Sequence, residues 1–130
     1  MREGRTPLHY AAMSNDVDSL TTLLGQGVNP NIPDRSGFTA LHLVAPEGST
    51  QAAAALLDGG ADANAVNRHG NTPLFIAVFN SRGRGDLIEL LRAHGADPWH
   101  CNNAGQTPVS LARLIVNYDV ARFFADLGDA

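Results

Sequence analysis

The side chains with the widest chemical range in this sequence are five histidines and one cysteine. A metal centre needs three or four nitrogen, sulfur or oxygen ligands converging on one point. His9 and His42 instead recur at a fixed interval along the chain, and a residue repeated at the structural period serves the repeating unit. His69, His94 and His100 lie in or beside turns. Cys101 follows His100, but neighbours in sequence seldom bring a thiol and an imidazole into reactive geometry, so Cys101 reads as a turn residue facing solvent or a packing seam. Arg84-Gly85-Asp86 has the form of an integrin-type tripeptide; Asp86 is better used as a helix cap. The chain has no lysine, which removes Schiff-base chemistry and a Walker phosphate lysine. It also lacks a glycine-rich strand-to-helix loop and a serine nucleophile elbow. No catalytic residue, metal ligand or cofactor is assigned, and the chain is read as not an enzyme.

The elements that carry these residues repeat. Gly4, Gly37 and Gly70 are evenly spaced, each followed two residues later by Thr6, Thr39 or Thr72, and Gly105 with Thr107 continues the series after a longer gap. Gly27, Gly60, Gly95 and Gly128 form a second series with the same irregularity. A two-residue insertion between Ala77 and Ile88 accounts for both. Thr ahead of Pro is an N-cap with proline at the first helical position, where its missing N–H costs nothing. His9 and His42 stand three residues after the capping threonine, the place from which a side chain reaches back to the cap. A second helix is expected to start near Asp16, Ser49, Asp86 and Asp119 and to stop at the later glycine. Gly37, Gly70 and Gly105 fall in connecting turns that need positive φ. Pro46 should end its helix early. Ala11, Ala12, Ala45, Ala77 and Ala112 are small so that first helices of successive units can approach closely.

Thr6-Pro7-Leu8-His9, Thr39-Ala40-Leu41-His42, Thr72-Pro73-Leu74-Phe75 and Thr107-Pro108-Val109-Ser110 resemble the signature of the ankyrin repeat, supported by Leu23-Leu24, Leu56-Leu57, Leu90-Leu91 and the Gly-Ala-Asp runs at Gly60 and Gly95. The resemblance covers essentially the whole chain. It implies an all-α fold, a solenoid of four stacked helix-turn-helix units joined by β-turn or hairpin loops, with repeats at about 1–33, 34–66, 67–101 and 102–130 of a single domain 1–130. The last unit departs most, as a terminal cap would. The resemblance also implies a non-catalytic module that binds a partner protein through turn tips and the exposed side of the first helices, a concave surface. Carried over position by position, this selects Arg2, Glu3, Arg5, Met13 and Ser14; then Arg35, Ser36, Phe38, Pro46 and Glu47; then Arg68, His69, Asn71, Phe79 and Asn80; and finally Asn103, Ala104 and Gln106.

Bulk properties agree with this reading. A chain of 130 residues makes one domain, able to bury roughly two thirds of its unfolded surface. With one cysteine no intramolecular disulfide forms, and no apolar run is long enough to span a bilayer. The expected setting is cytoplasmic, and the arginine, alanine and glycine bias points to a bacterial source. A formal charge of −4 argues against nucleic acid as partner. Yet Arg2, Arg35 and Arg68 share one position in three units, a ladder with steps of roughly 10 Å, while Asp16, Asp18, Asp58, Asp86, Glu89 and Asp119 fall on or near second helices. The partner expected is therefore a protein with an acidic, partly apolar surface, bound by a monomer, unless Asp34, Asp62 and Asp97 neutralise the arginines. Phe38, Phe79 and Trp99 are either interface aromatics or core. The segment Asn80 to Gly85, with Arg82 and Arg84, is either a tolerated loop or an extra contact arm. Two narrower alternatives remain: an immunity- or antitoxin-like inhibitor of a toxin or enzyme, and a structural repeat fragment of a larger protein.

Overall fold

The computed structural model describes residues 4–128. Among them are seven α-helices, two 3-10 segments and no strand. Thr6, Thr39, Thr72 and Thr107 lie in extended backbone and head α1 (Pro7–Met13), α3 (Ala40–Val44), α5 (Pro73–Phe79) and α7 (Pro108–Leu114). His9 Nδ1 accepts the Thr6 backbone N–H at 2.9 Å, and His42 Nδ1 that of Thr39 at 3.0 Å. One backbone donor at each of these helix starts is satisfied this way. The fourth unit uses Ser110 Oγ for the same task, while Phe75 leaves the third unit only the threonine half, Phe75 N–H donating to Thr72 Oγ1 at 3.4 Å.

The second helices are α2 (Val17–Gly25), α4 (Thr50–Asp58) and α6 (Asp86–Ala93). Asp16 and Ser49 cap the first two through their side chains. Each of the three helices closes in a Schellman turn, with Gly27, Gly60 and Gly95 at positive φ and Val28, Ala61 and Ala96 donating to Leu23, Leu56 and Leu91. Asp86 does not cap α6. Gly85 holds that position, pressed so closely on the Phe123 ring that an added Cβ would meet it at 2.1 Å. Asp86 falls in the first turn, where its charge still favours the helix dipole. Nor does Asp119 start a helix. The last unit ends in a 3-10 segment (Ala121–Leu127) headed by Val120, because residues Tyr118 and Phe123 are drawn back over Gly83 and Gly85 of the preceding unit. Pro46 shortens α3 to five residues, which continue as a 3-10 turn (Ala45–Glu47) closed by left-handed Gly48.

First helices stack in one row, α1 on α3 and α5 on α7, with α5 also against the 3-10 turn; second helices stack in another, α2 on α4 on α6. Between the rows Leu8, Leu20, Leu41, Leu56, Leu74, Ile88 and Leu91 are fully buried, each stabilising the stack by about 1.5–3 kcal/mol. Ala11, Ala12, Ala45, Ala77 and Ala112 are buried where the rows approach. On the outer side of the first unit, Ser19 and Thr22 replace the Ala52 and Ala55 of the second. At the other end, exposed Arg113 stands where Ala12 and Ala45 stand in earlier units. Both end faces are thereby more polar than the seams.

The seams are bonded at three levels. Because Nδ1 of His9 and of His42 accepts at the cap, Nε2 carries the proton and donates to the next unit, to the Phe38 carbonyl and the Asn71 carbonyl, at 2.9 Å in both cases. His42 is 0% exposed, and burial pulls its pKa below the usual 6.5 despite the Asn71 carbonyl, so the ring is neutral. On the other edge the amide of Asn31 takes the Asp62 N–H and donates to the Gly60 carbonyl, and Asn64 does the same with Asp97 and Gly95. Turn tips join directly, Arg68 N–H to the Ser36 carbonyl at 2.8 Å and Asn103 N–H to the His69 carbonyl at 3.0 Å. A Cβ on Gly37 would lie 2.9 Å from Asn67 Cα, so that tip needs glycine for clearance as well as for φ.

Candidate docking surface

Each turn is held from within by one side chain. Asp34 Oδ1 accepts the N–H groups of Ser36 and Phe38, Asn67 Oδ1 those of His69 and Asn71, and Asn102 Oδ1 those of Ala104 and Gln106. These are Asx turns at the repeat period. With Asp34 turned inward, Arg35 projects outward, and Arg68 does so beyond Asn67; both are exposed. The ion pairs among the described residues are Arg5–Asp34 and Arg92–Asp126. Asp34, Asp62 and Asp97 therefore do not neutralise Arg35 or Arg68. Asp34 faces Arg5 across the first seam at 3.5 Å, and Asp62 and Asp97 bond backbone N–H groups of Asn64 and Trp99. The Arg68 side chain donates from Nε to His69 Nε2 at 3.5 Å. Arg2, the third member of the ladder, lies with Glu3 outside the described residues.

Below the tips, each first helix buries the residues equivalent to Leu8 and Ala11, the first three also bury the equivalent of Ala12, and a stripe of positions three residues apart is left at least partly exposed. Met13, Pro46, Phe79 and Leu114 occupy one position in four successive units, and all four are exposed. Above them in the same stripe are Tyr10, Leu43, Ile76 and Leu111. A polar row of tips and an apolar row of helix positions thus run side by side. The acidic residues Asp18, Asp58, Asp86 and Glu89 sit on the second helices and are exposed there. Exposed Glu47 stands beside the apolar row, while Asp62 and Asp97 lie in the extended turns.

Of the residues selected from sequence, several work inside the molecule. Arg5 is half-buried in its ion pair, and Asn71 Oδ1 takes the Asn102 side-chain amide at 2.8 Å, the same link two seams further on. Phe38 is half-buried edge-on against His42, ring centroids 5.7 Å apart. Asn103 Nδ2 donates to the Arg68 carbonyl, and Gln106 N–H closes its own turn. Trp99 stands where Asn31 and Asn64 stand in earlier units and is partly exposed. The remaining selected groups, Met13, Arg35, Glu47, Arg68, His69, Phe79, Arg82 and Arg84, are exposed, with Asn80 partly so. Sequence reasoning passed over Leu114, although the period that gives Met13, Pro46 and Phe79 also reaches it.

The inserted loop is not a free arm. Tyr118 packs on Gly83, Phe123 on Gly85, and Arg122 donates to the Gly83 carbonyl at 3.3 Å. On its other side Arg84 lies over Gly48 of the second unit and bonds the Ser81 carbonyl. Only the outer edge, with Arg82 and Arg84, meets solvent. Among the described residues no three histidine, cysteine, aspartate or glutamate side chains stand together as a metal site would require, and no helix is long and apolar enough to cross a membrane. A family model described as ankyrin repeats in three copies matches residues 8–101.

Proposed function

The chain belongs to the ankyrin-repeat family, generally a family of non-catalytic protein-binding scaffolds, and we propose that its own docking surface is the paired row of turn tips and first-helix stripe. The observation that carries this reading is the juxtaposition of exposed Arg35 and Arg68, neither in an ion pair among the described residues, with the exposed apolar positions Met13, Pro46, Phe79 and Leu114. Arginine beside apolar area is the chemistry of an interface hot spot, where guanidinium groups steer and orient while apolar contact excludes water. The partner is a protein presenting carboxylates over an apolar strip. Exposed Asp18, Asp58, Asp86 and Glu89 on the second helices disfavour docking of such a partner on that side.

Charge reversal tests the reading. Arg35→Glu combined with Arg68→Glu touches no buried contact and should leave the melting temperature nearly unchanged, while weakening capture of the cognate partner by at least tenfold at low salt and less at high salt. Capture that survives the double reversal at low salt would place the docking surface elsewhere.

A further inference from the structure

The link between the two helices contains left-handed backbone in each of the first three units, at one residue in the first two and at two in the third. In the first unit it is Asn15, φ 53°, and in the second Gly48, φ 67°. These are residue types that adopt the conformation readily. In the third unit the first of the two is Arg82, also at φ 53°, although glycine would fit there without strain. An unstrained neighbour, Gly83, follows it at φ 84°. The loop is nonetheless fixed: the Gly83 N–H and the Arg84 N–H both turn back to Ser81, which is buried, and the Tyr118 and Phe123 rings cover its inner side. Strain held by a rigid surround marks a side chain retained for what it does.

Beside this loop lie two adjoining cavities. One, of about 220 Å³, is an apolar groove walled by Phe75, Ile76 and Phe79 and rimmed by Asn71 and Asn80. Phe79 is 69% exposed, the most exposed aromatic side chain among the described residues. The other, of about 390 Å³, is a polar cleft between the 3-10 turn and the loop, walled by Pro46, Glu47, Asn80, Arg82 and Arg84. Asn80 lines both, so the two spaces lie side by side. The cleft owes its far wall, Arg82 and Arg84, to the insertion.

We propose that the third unit carries a discrete recognition site for a partner segment in which an apolar side chain is closely followed by a carboxylate. The apolar group seats against Phe75, Ile76 and Phe79, and the carboxylate enters the cleft at Arg82 and Arg84. Arg84 is pre-placed by its bond to the Ser81 carbonyl at 3.2 Å, leaving its terminal nitrogens to the ligand. Glu47 on the facing wall leaves the cleft with a single net positive charge, which favours one carboxylate over a run of them. This site deepens the docking reading above and rests on it.

The test separates the two. A display library of random peptides is selected against the immobilised full chain, and selected peptides are titrated against variants. Peptides should share an apolar residue with Asp or Glu a few positions on. Arg82→Gly, which relieves the backbone and so should keep or raise the melting temperature, should weaken them about tenfold, with a loss that shrinks as salt rises. Phe79→Ser, at an exposed position, should weaken them at least as much at any salt. Peptides indifferent to both changes but lost with Arg35→Glu and Arg68→Glu overturn the third-unit site and leave the wider docking surface standing. Peptides indifferent to all four changes overturn both. A library yielding no binder to the unaltered chain also overturns the third-unit site.

Discussion

At the first two seams a buried histidine ring caps its own helix with one nitrogen and reaches the next unit with the other. At the third seam Phe75 fills that position, buried but without a polar atom. The bond it omits is replaced at the turn, where His100 Nε2 meets the Gly70 carbonyl at 3.1 Å and Asn102 bonds Asn71. Further down, Arg92 bonds Asp126 and the Phe123 carbonyl and lies over the Phe124 ring. The Asp126 carboxyl, held by that bond, sits below its ordinary range. The regular seams thus add a buried, neutral ring to their outer links, whereas the last one relies on a scattered set of partly exposed groups. Buried bonds cost the most to break, since a group left unpaired keeps its full desolvation penalty. The first three units should therefore respond as a block, and the fourth on its own.

Removing a ring from a regular seam should have the largest effect. His42→Ala leaves the Asn71 carbonyl and Thr39 N–H without their ring partner and opens a cavity, a loss of about 3 kcal/mol; urea denaturation measures it, and a loss under about 1 kcal/mol would mean the ring does not hold the seam. Gly85→Ala forces Phe123 aside and should cost about 1–3 kcal/mol. Its signature in hydrogen exchange is confined to residues 108–128, and faster exchange in α1 or α3 would break the distinction between block and end. Acid should act on the block. His42 takes up a proton near pH 6.5 when unfolded but only at lower pH when folded, so its contribution is complete above 6.5 and is lost as pH falls from there through the lowered value. His42→Phe should flatten that part of the stability profile. The smallest change is expected from Phe75→His, which offers the regular staple to the Gln106 carbonyl; within about 1 kcal/mol overall, it should slow exchange in α7.

What could be read from sequence was local. Thr-Pro starts, the histidine caps, the closing glycines and the early stop at Pro46 depend on neighbours within a few residues, and they stand in the structure as their spacing dictates. The second nitrogen of His9 and His42 was illegible because its acceptor belongs to another unit. Asp34 was open to reading as a neutraliser of arginine, since nothing local distinguishes a carboxylate that closes its own turn from one that faces solvent. Asp86 and Asp119 look like caps until Phe123 and Tyr118 fold back over Gly85 and Gly83, contacts across more than thirty residues. The same distant rings convert the inserted loop from a projecting arm into a supported ledge. In the candidate site, the charge ladder and most of the apolar stripe follow from register, whereas the groove beside Phe79 needs the packed loop to exist.

The side-chain hydrogen bonds across the seams span separations of 29 to 39 residues. No step of assembly therefore requires the ends of the chain to find each other, and the entropy lost in closing any one loop is that of a single module. Such a polymer can nucleate wherever two adjacent modules first meet and then grow outward like a zipper, and the histidine-linked pairs are the natural place for it to begin.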